Sequence, residues 1–322
     1  MKTRFSGALR HAAVAVASVA LASQGFALDN VKFMIGANPG GGFDQTGRNL
    51  GKAMVEAGVA KSVQYENKGG AGGTIGLAQF ANASKGDPNA LIVTGAVMVG
   101  AIVQNKPPVT LANATPVARL FYEYNVFVVP ANSPLKSMKD VVEMLKKDPG
   151  SVKWGGGSRG SVDHISVAMI AKDAGVDPSK INYVPFQGGG EASAAILGGH
   201  VTVGTSGYSE MQQFIKSGKM RALAVTSGSK LPGEPVPTLK EQGVNVEIGN
   251  WRGVYGAPGI TEAQRKALAD AVVAASKQKS WTDALASNDW FPAVLTGEEF
   301  AKFVDGEHKR IEESMKAVGM VK

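Results

Sequence analysis

The chain has 322 residues and no cysteine, which excludes disulfide bonds and thiolate metal sites. Its formal net charge is +7, but no basic run or basic helix stripe occurs, so the charge favours small anions and does not indicate a nucleic-acid partner. The four histidines lack the spacing of metal ligands, and we expect neither a metal nor a cofactor.

Residues 1–27 have the pattern of a secretory signal peptide. The first ten residues carry three cations and no acid, 12–22 is apolar except for Ser18, and Gly25 and Ala27 supply small residues at the −3 and −1 positions of a cleavage site. An uncleaved membrane anchor is the alternative, but the apolar run is shorter than the ~20 residues that a spanning helix needs. We expect cleavage after Ala27 and a periplasmic mature protein.

Short apolar runs alternate with helical patterns along the rest of the chain. Strands are predicted at 31–35, 91–94, 152–154, 181–184, 201–203 and 221–225, and helices at 45–57, 75–83, 162–174, 192–197 and 208–216. Capping boxes at Thr261 and Thr296 predict the starts of two further helices. This alternation predicts an α/β protein with a parallel or mixed sheet.

Two longer extended runs, 117–130 and 244–257, exceed the usual strand of about 5–6 residues. A self-contained set of strand–helix units lies between them, so they predict strands that cross between two lobes. We expect residues 28–125 plus 250–322 to form lobe 1 and residues 126–249 to form lobe 2. Such hinged lobes close on a ligand, and we expect the protein to be a monomer.

Three glycine-dense turns each follow an apolar run and open a helical stretch, at 38–44, 68–74 and 155–161. Glycine lets a ligand approach the backbone closely, and the start of a helix presents unpaired N–H groups and the positive end of its dipole. Such turns bind anions with little side-chain chemistry. The pattern therefore predicts a protein that holds a small anion without transforming it.

Five segments resemble, in sequence and in order, motifs of the extracytoplasmic solute-binding proteins of tripartite tricarboxylate transporters, also called Bug-type or TctC-like receptors. They are 38–48 (NPGGGFDQTGR), 66–76 (ENKGGAGGTIG), 155–164 (GGGSRGSVDH), 184–190 (VPFQGGG) and 251–258 (WRGVYGAP). The resemblance implies a two-lobe type II periplasmic-binding-protein fold and capture of a carboxylate between the lobes. It also implies delivery to an integral-membrane permease of one large and one small subunit. The first turn is closest to the tricarboxylate-binding branch, which favours a di- or tricarboxylate such as citrate.

The candidate ligand-binding residues lie in the three turns and at the ends of later strands: Asn38, Gly41, Gly42, Phe43, Asp44, Ala71, Gly72, Ser158, Arg159, Gly160, Ser161, His164, Gln187, Ser206, Gly207 and Tyr208. Backbone N–H groups around Gly42 would hold a carboxylate from lobe 1, and the turn 157–161 would contact it, or a second one, from lobe 2. The selection of Gln187, Ser206 and Tyr208 depends mainly on their positions relative to the family's motifs.

Three of these side chains have a second interpretation. Arg159 could pair with a carboxylate or be a solvated turn residue. Asp44 could cap the helix that it opens, because a carboxylate accepts the free N–H groups there. His164 could donate to an anion or could pack and bond locally.

A serine hydrolase is the main alternative, because residues 156–160 match the Gly-x-Ser-x-Gly pattern with Ser158 as nucleophile. His200 or His308 would complete a triad, but His308 lies in a charged helical stretch and no His-Gly-Gly motif occurs. A nucleotide site is disfavoured because Arg48 and Asn49 stand where a P-loop needs Lys and Ser or Thr. A receptor that serves a membrane sensor instead of a permease is a third possibility.

Overall fold

The computed structural model describes residues 28–187 and 189–322, so the predicted signal peptide at 1–27 lies outside the described part of the chain. The helices are α1 (Gly42–Glu56), α2 (Thr74–Ala83), α3 (Ala96–Asn105), α4 (Met138–Lys147), α5 (Val162–Asp173), α6 (Gly189–Leu197), α7 (Tyr208–Lys216), α8 (Glu262–Ala275), α9 (Lys279–Ser287) and α10 (Gly297–Ala317). The strands are β1 (Leu28–Ile35), β2 (Ala60–Asn67), β3 (Ala90–Gly95), β4 (Thr115–Pro130), β5 (Lys153–Gly156), β6 (Asn182–Pro185), β7 (Val203–Gly207), β8 (Met220–Val225), β9 (Gly249–Gly256) and β10 (Phe291–Thr296).

The strands form a mixed sheet in the order β2-β1-β3-β9-β4-β7-β5-β6, with β8 and β10 also paired to β4. Within each end of this order the pairs are parallel, namely β1 with β2 and β3, and β5 with β6 and β7. The pairs that β9 and β4 make are antiparallel. The predicted α/β class is therefore confirmed.

Strand β4 joins the two ends of the sheet. Its residues 115–124 pair with β9, and its residues 125–130 pair with β7 and β8. The sheet with its flanking helices is the two-lobe architecture that the long run 117–130 predicted. The return crossing is shorter than predicted, because β9 begins at Gly249 and residues 244–248 are not in a strand. In this stretch Val244 N donates to Leu239 O, Val246 N donates to Val244 O and Ile248 N donates to Thr226 O, so its backbone bonds are not those of a continuous strand pair.

The apolar core is divided in the same way. The first cluster contains the buried faces of β1, β3 and β9 and of helices α1, α3, α8 and α10, centred on large side chains such as Phe33, Trp251 and Phe300. Two further clusters cover the faces of β5, β7 and β8, around Trp154 and Tyr208. The exact lobe limits, 28–125 plus 250–322 and 126–249, stay a prediction, since residues of α5 join the first cluster.

Both predicted helix starts are observed, but the capping box forms at only one of them. Thr261 accepts from the backbone of Gln264 and forms the predicted capping box of α8. The predicted capping box at Thr296 is not formed, because α10 begins at Gly297 in the left-handed region (φ +64) and Thr296 makes no side-chain cap bond. No helix in the described part of the chain is both long enough and apolar enough to cross a bilayer.

Candidate functional site

The glycine turns converge on one cavity of about 70 Å³. Its walls come from the ends of strands on both sides of β4, which is where ligands of α/β sheets lie. The lining residues are Gly36, Ala37, Gly41, Gly42, Phe43, Gly70, Gly72, Gly73, Val97, Gly157, Ser158, Asp163, Phe186, Gln187, Gly189, Ala192, Ser206, Gly207, Glu210, Asn250 and Arg252. The first two turns face the third across this cavity.

The first turn presents the open end of α1. Gly41 is the N-cap residue and supplies no side-chain cap, so the N–H groups of Gly42 and Phe43 have no acceptor among the described residues. Since these groups border the cavity, they are free to bind an anion. Arg252 lies over the Phe43 ring, with its Cζ 4.9 Å from the centroid, and places a cation beside the same helix start.

Asp44 acts within this turn and does not line the cavity. It accepts hydrogen bonds from Gly40 N (3.0 Å), Arg48 Nε (2.9 Å) and Asn67 Nδ2 (3.0 Å). Burial raises the pKa of Asp44, but these hydrogen bonds outweigh burial and the pKa is lowered overall. The ionised Asp44 therefore braces the turn, but it is not the cap that the sequence predicted, because Gly41 is the N-cap residue of α1 and no side chain caps it.

The second turn approaches the third directly. Gly70, Gly72 and Gly73 have φ values of +125°, +65° and +93°, which side-chain-bearing residues rarely adopt. A Cβ on Gly72 would lie 2.8 Å from the hydroxyl oxygen of Ser158. The absence of that atom lets the two turns meet.

The third turn uses several of its polar groups internally. Gly157 N donates to Asp163 Oδ2 (2.6 Å), Gly160 N donates to His164 Nδ1 (3.2 Å), and Ser161 caps α5 by accepting from His164 N (3.4 Å). The Ser158 hydroxyl is different, because it is buried without a hydrogen-bond partner among the described residues. Its capacity for hydrogen bonding is therefore unused among the described residues, at a position that lines the cavity.

The His164 ring packs locally. It is stacked on Tyr183 at 4.3 Å between centroids. Burial, with a smaller contribution from Arg159, lowers the pKa of His164 to about 4, so the ring is neutral at pH 7. Arg159 itself is exposed and does not line the cavity. These placements fit the local alternatives that the sequence left open for both residues.

Half of the predicted site residues line the cavity: Gly41, Gly42, Phe43, Gly72, Ser158, Gln187, Ser206 and Gly207. The others lie outside its lining: Asn38, Asp44, Ala71, Arg159, Gly160, Ser161, His164 and Tyr208. Among these, Asn38 bonds Glu191 across the cleft (2.6 Å), and Tyr208 packs into an apolar cluster. Contact of any of these residues with a ligand stays a prediction.

A buried ionic cluster forms the cavity wall nearest β4 and was not among the predicted site residues. Arg252 of β9 donates to Glu123 of β4 through Nε (2.8 Å) and Nη2, and its Nη2 lies 3.8 Å from Glu210 of α7. Ser209 and Asn250 also donate to Glu123, at 3.2 and 3.4 Å. All three charged side chains are at most 6% exposed. The cluster ties both sides of the cleft to the crossing strand.

Two acids of this wall have raised pKa values. Burial, followed by the charge of Glu123, raises the pKa of Glu210 to about 8, against the opposing effect of Arg252. Burial also raises the pKa of Asp163 to about 6, although hydrogen bonds from Gly157 and Asn125 lower it. Because their proton affinities lie near neutral pH, the charge of the cavity depends on pH.

The geometry of a serine hydrolase is not seen among the described residues. Ser158 Oγ has no histidine partner, since His164 Nδ1 accepts from Gly160. His200 is exposed beyond the end of α6, and His308 lines a separate pocket beside α10. The third turn therefore offers a hydroxyl without a base.

The fold and the site together define a two-lobe α/β protein with a cavity between the turns of its two sides. Residues 47–320 match the model of the tripartite tricarboxylate transporter family receptor, and the chain belongs to that family. It is 27% identical over 299 residues to a protein of Cupriavidus necator encoded in the gbd 5′ region, covering 91% of this chain and 88% of the relative.

Solved structures show the same fold. The periplasmic binding protein BugD superposes with a TM-score of 0.82 at 24% identity, over 91% of this chain and 98% of BugD. MatC from Rhodopseudomonas palustris, solved with bound malate, has a TM-score of 0.78 at 24% identity, over 90% of this chain and 99% of MatC. The predicted membership of this family is confirmed by the match to the family model.

Proposed function

We propose that the protein captures a small carboxylate in the periplasm and delivers it to the large and small permease subunits of a tripartite tricarboxylate transporter. The observation that carries this proposal is the set of unpartnered N–H groups at the start of α1, which open into the cavity beside Ser158. Family membership supports the partner, and malate bound to MatC supports the ligand class. On this proposal the protein is a monomeric receptor and not an enzyme.

The first-turn sequence favours a di- or tricarboxylate such as citrate. We expect a thermal-shift panel of citrate, malate, terephthalate, glutamate and nicotinate to contain at least one compound that raises the melting temperature. Ligand at 100 times its Kd stabilises the native state by about 2.7 kcal/mol. A sugar and a simple amine serve as controls. If the sugar raises the melting temperature and none of the carboxylates does, the proposal is contradicted.

Ser158 offers a test that separates binding from hydrolysis. We expect Ser158→Ala to weaken carboxylate binding roughly 10- to 100-fold, since a hydrogen bond to a charged group contributes about 1.5–3 kcal/mol. Calorimetry would measure the affinity, and an activated-ester assay would measure turnover. Ser179→Ala, in an exposed turn, is the matched control. Turnover that is present in the wild type and lost in Ser158→Ala would favour the hydrolase instead.

The partner can be tested separately from the ligand. Capture of the permease subunits by the ligand-loaded protein from solubilised membranes is the expected result. Recovery of a membrane sensor without the permease would instead assign the protein to signalling.

A further inference from the structure

Glu210 lies at the place where a ligand carboxylate is expected. Its Oε1 is 3.0 Å from the position that a Cβ on Gly42 would take, and its Oε2 is 3.7 Å from the corresponding position on Gly41. The carboxyl group of Glu210 thus borders the first turn of α1. A carboxylate that accepts from Gly42 and Phe43 would be its direct neighbour.

The surrounding charges do not compensate for two adjacent anions. Glu123, Asp163 and Glu210 contribute three buried carboxyl groups, and Arg252 is the cation that faces them. Arg252 is already hydrogen-bonded to Glu123 and stays 3.8 Å from Glu210. Ser206 of β7 contributes a hydroxyl.

The remaining acids on the elements packed around Glu210 have other partners. Asp44 of α1 is paired with Arg48, and Glu191 of α6 accepts from Asn38 at the rim. A fourth carboxylate in this wall therefore meets an excess of negative charge. Two carboxyl groups in contact at a buried site cannot both be ionised. They therefore hold one proton between them.

We propose that Glu210 carries a proton when a carboxylate occupies the cavity, and that it donates this proton in a hydrogen bond to the ligand. The inference rests on the proposed function, because it concerns the same carboxylate. It makes Glu210 a ligand contact in its neutral form, with the proton supplied by solvent.

The sign of the pH dependence follows from the raised pKa. Burial and the charge of Glu123 raise the pKa of Glu210 to about 8 without any contribution from a ligand, and an adjacent ligand carboxylate raises it further. Above about pH 8, binding therefore takes up a proton. We expect the affinity to change little below this pH and to fall by up to about tenfold per pH unit above it.

Calorimetry with malate, nicotinate and glutamate tests the proposal in wild type, Glu210→Gln and the exposed-site control Glu143→Gln. Between about pH 7 and 9, above the carboxyl pKa values of the probes, buffers with different ionisation enthalpies report proton uptake. We expect wild type and Glu143→Gln to take up little below about pH 8 and up to one proton above it. Glu210→Gln should bind with similar affinity, no proton uptake and no pH dependence, because its amide donates without titrating.

Two results would overturn the inference. Weaker binding of Glu210→Gln at every pH, without proton uptake by the wild type, would show that an ionised Glu210 pairs with a cationic part of the ligand. A wild type whose affinity stays constant between about pH 7 and 9 would also overturn the inference. If no probe binds any variant, the proposed function fails instead.

A measurement without ligand keeps the inference testable in that case. A raised pKa means that the stabilising state of Glu210 is fully present below pH 4.5 and is lost as the pH rises through about 8. The melting temperature of the wild type should therefore fall relative to Glu210→Gln between about pH 5 and 8. Parallel profiles of the two proteins would show that Glu210 carries no proton in the folded state.

Discussion

Replacing Arg252 with methionine is expected to lower the free energy of unfolding by about 3–5 kcal/mol, the cost of removing one partner of a buried ion pair. Arg252 is 4% exposed and Glu123 is 1% exposed, so water cannot replace the lost hydrogen bonds. Glu123 and Glu210 would then face each other without a cation. Urea denaturation followed by circular dichroism measures the change, with an unchanged m-value as evidence that the same structure unfolds.

Two further variants test the cause of this loss. Adding Glu123→Gln to Arg252→Met should restore part of the stability, because the amide needs no counterion, and this coupling identifies the pair. Arg265→Met removes an ion pair to Glu262, which is 74% exposed, and should have a much smaller effect. Equal losses in Arg252→Met and Arg265→Met would contradict a special role for burial.

The fold was largely predictable because its signals are local. Apolar runs such as 91–94 mark buried strands of the sheet wherever they occur, and the length of 117–130 marks the crossing strand. The length of the return crossing strand was overestimated, and the reason is physical. Val246 and Ile248 are buried as expected, but Asn245 donates its backbone N–H to Asp173 instead of to a strand. Alternating apolar residues do not show whether the backbone N–H groups bond to a neighbouring strand or to a side chain.

The parts of the cavity wall that were predictable from sequence are those formed by backbone turns. Glycine turns that open helices are visible in sequence, which is why Gly42 and Ser158 were found. The ionic cluster depends on packing between β4, β9 and α7, which are distant in the chain. Glu123 and Arg252 lie in two strands that are rich in apolar residues, and these charges were an available signal, since buried charges have to be paired. Nothing local marks Glu210, whose role depends on which elements close around it.

The largest expected effect on binding comes from Gly100→Ala. Gly100 lies on α3, and a Cβ at this position would overlap the carbonyl oxygen of Gly160 in the third turn. Neither group is a flexible side chain that could turn away, so α3 and the third turn would have to separate. Ligand affinity should fall roughly 5- to 150-fold, the usual range when binding is coupled to a conformational change.

The same substitution should leave the folded protein intact, because alanine favours a helix interior over glycine by about 0.8–1 kcal/mol. Gly306→Ala on α10 is the matched control, since a Cβ there meets nothing within 4 Å and no cleft contact changes. Calorimetry gives the affinities. Small-angle scattering gives the radius of gyration with and without saturating carboxylate, which should decrease on binding in the control but not in Gly100→Ala. If Gly100→Ala binds and contracts like Gly306→Ala, closure does not bring α3 against the third turn, and the cleft must hold its ligand in a more open arrangement.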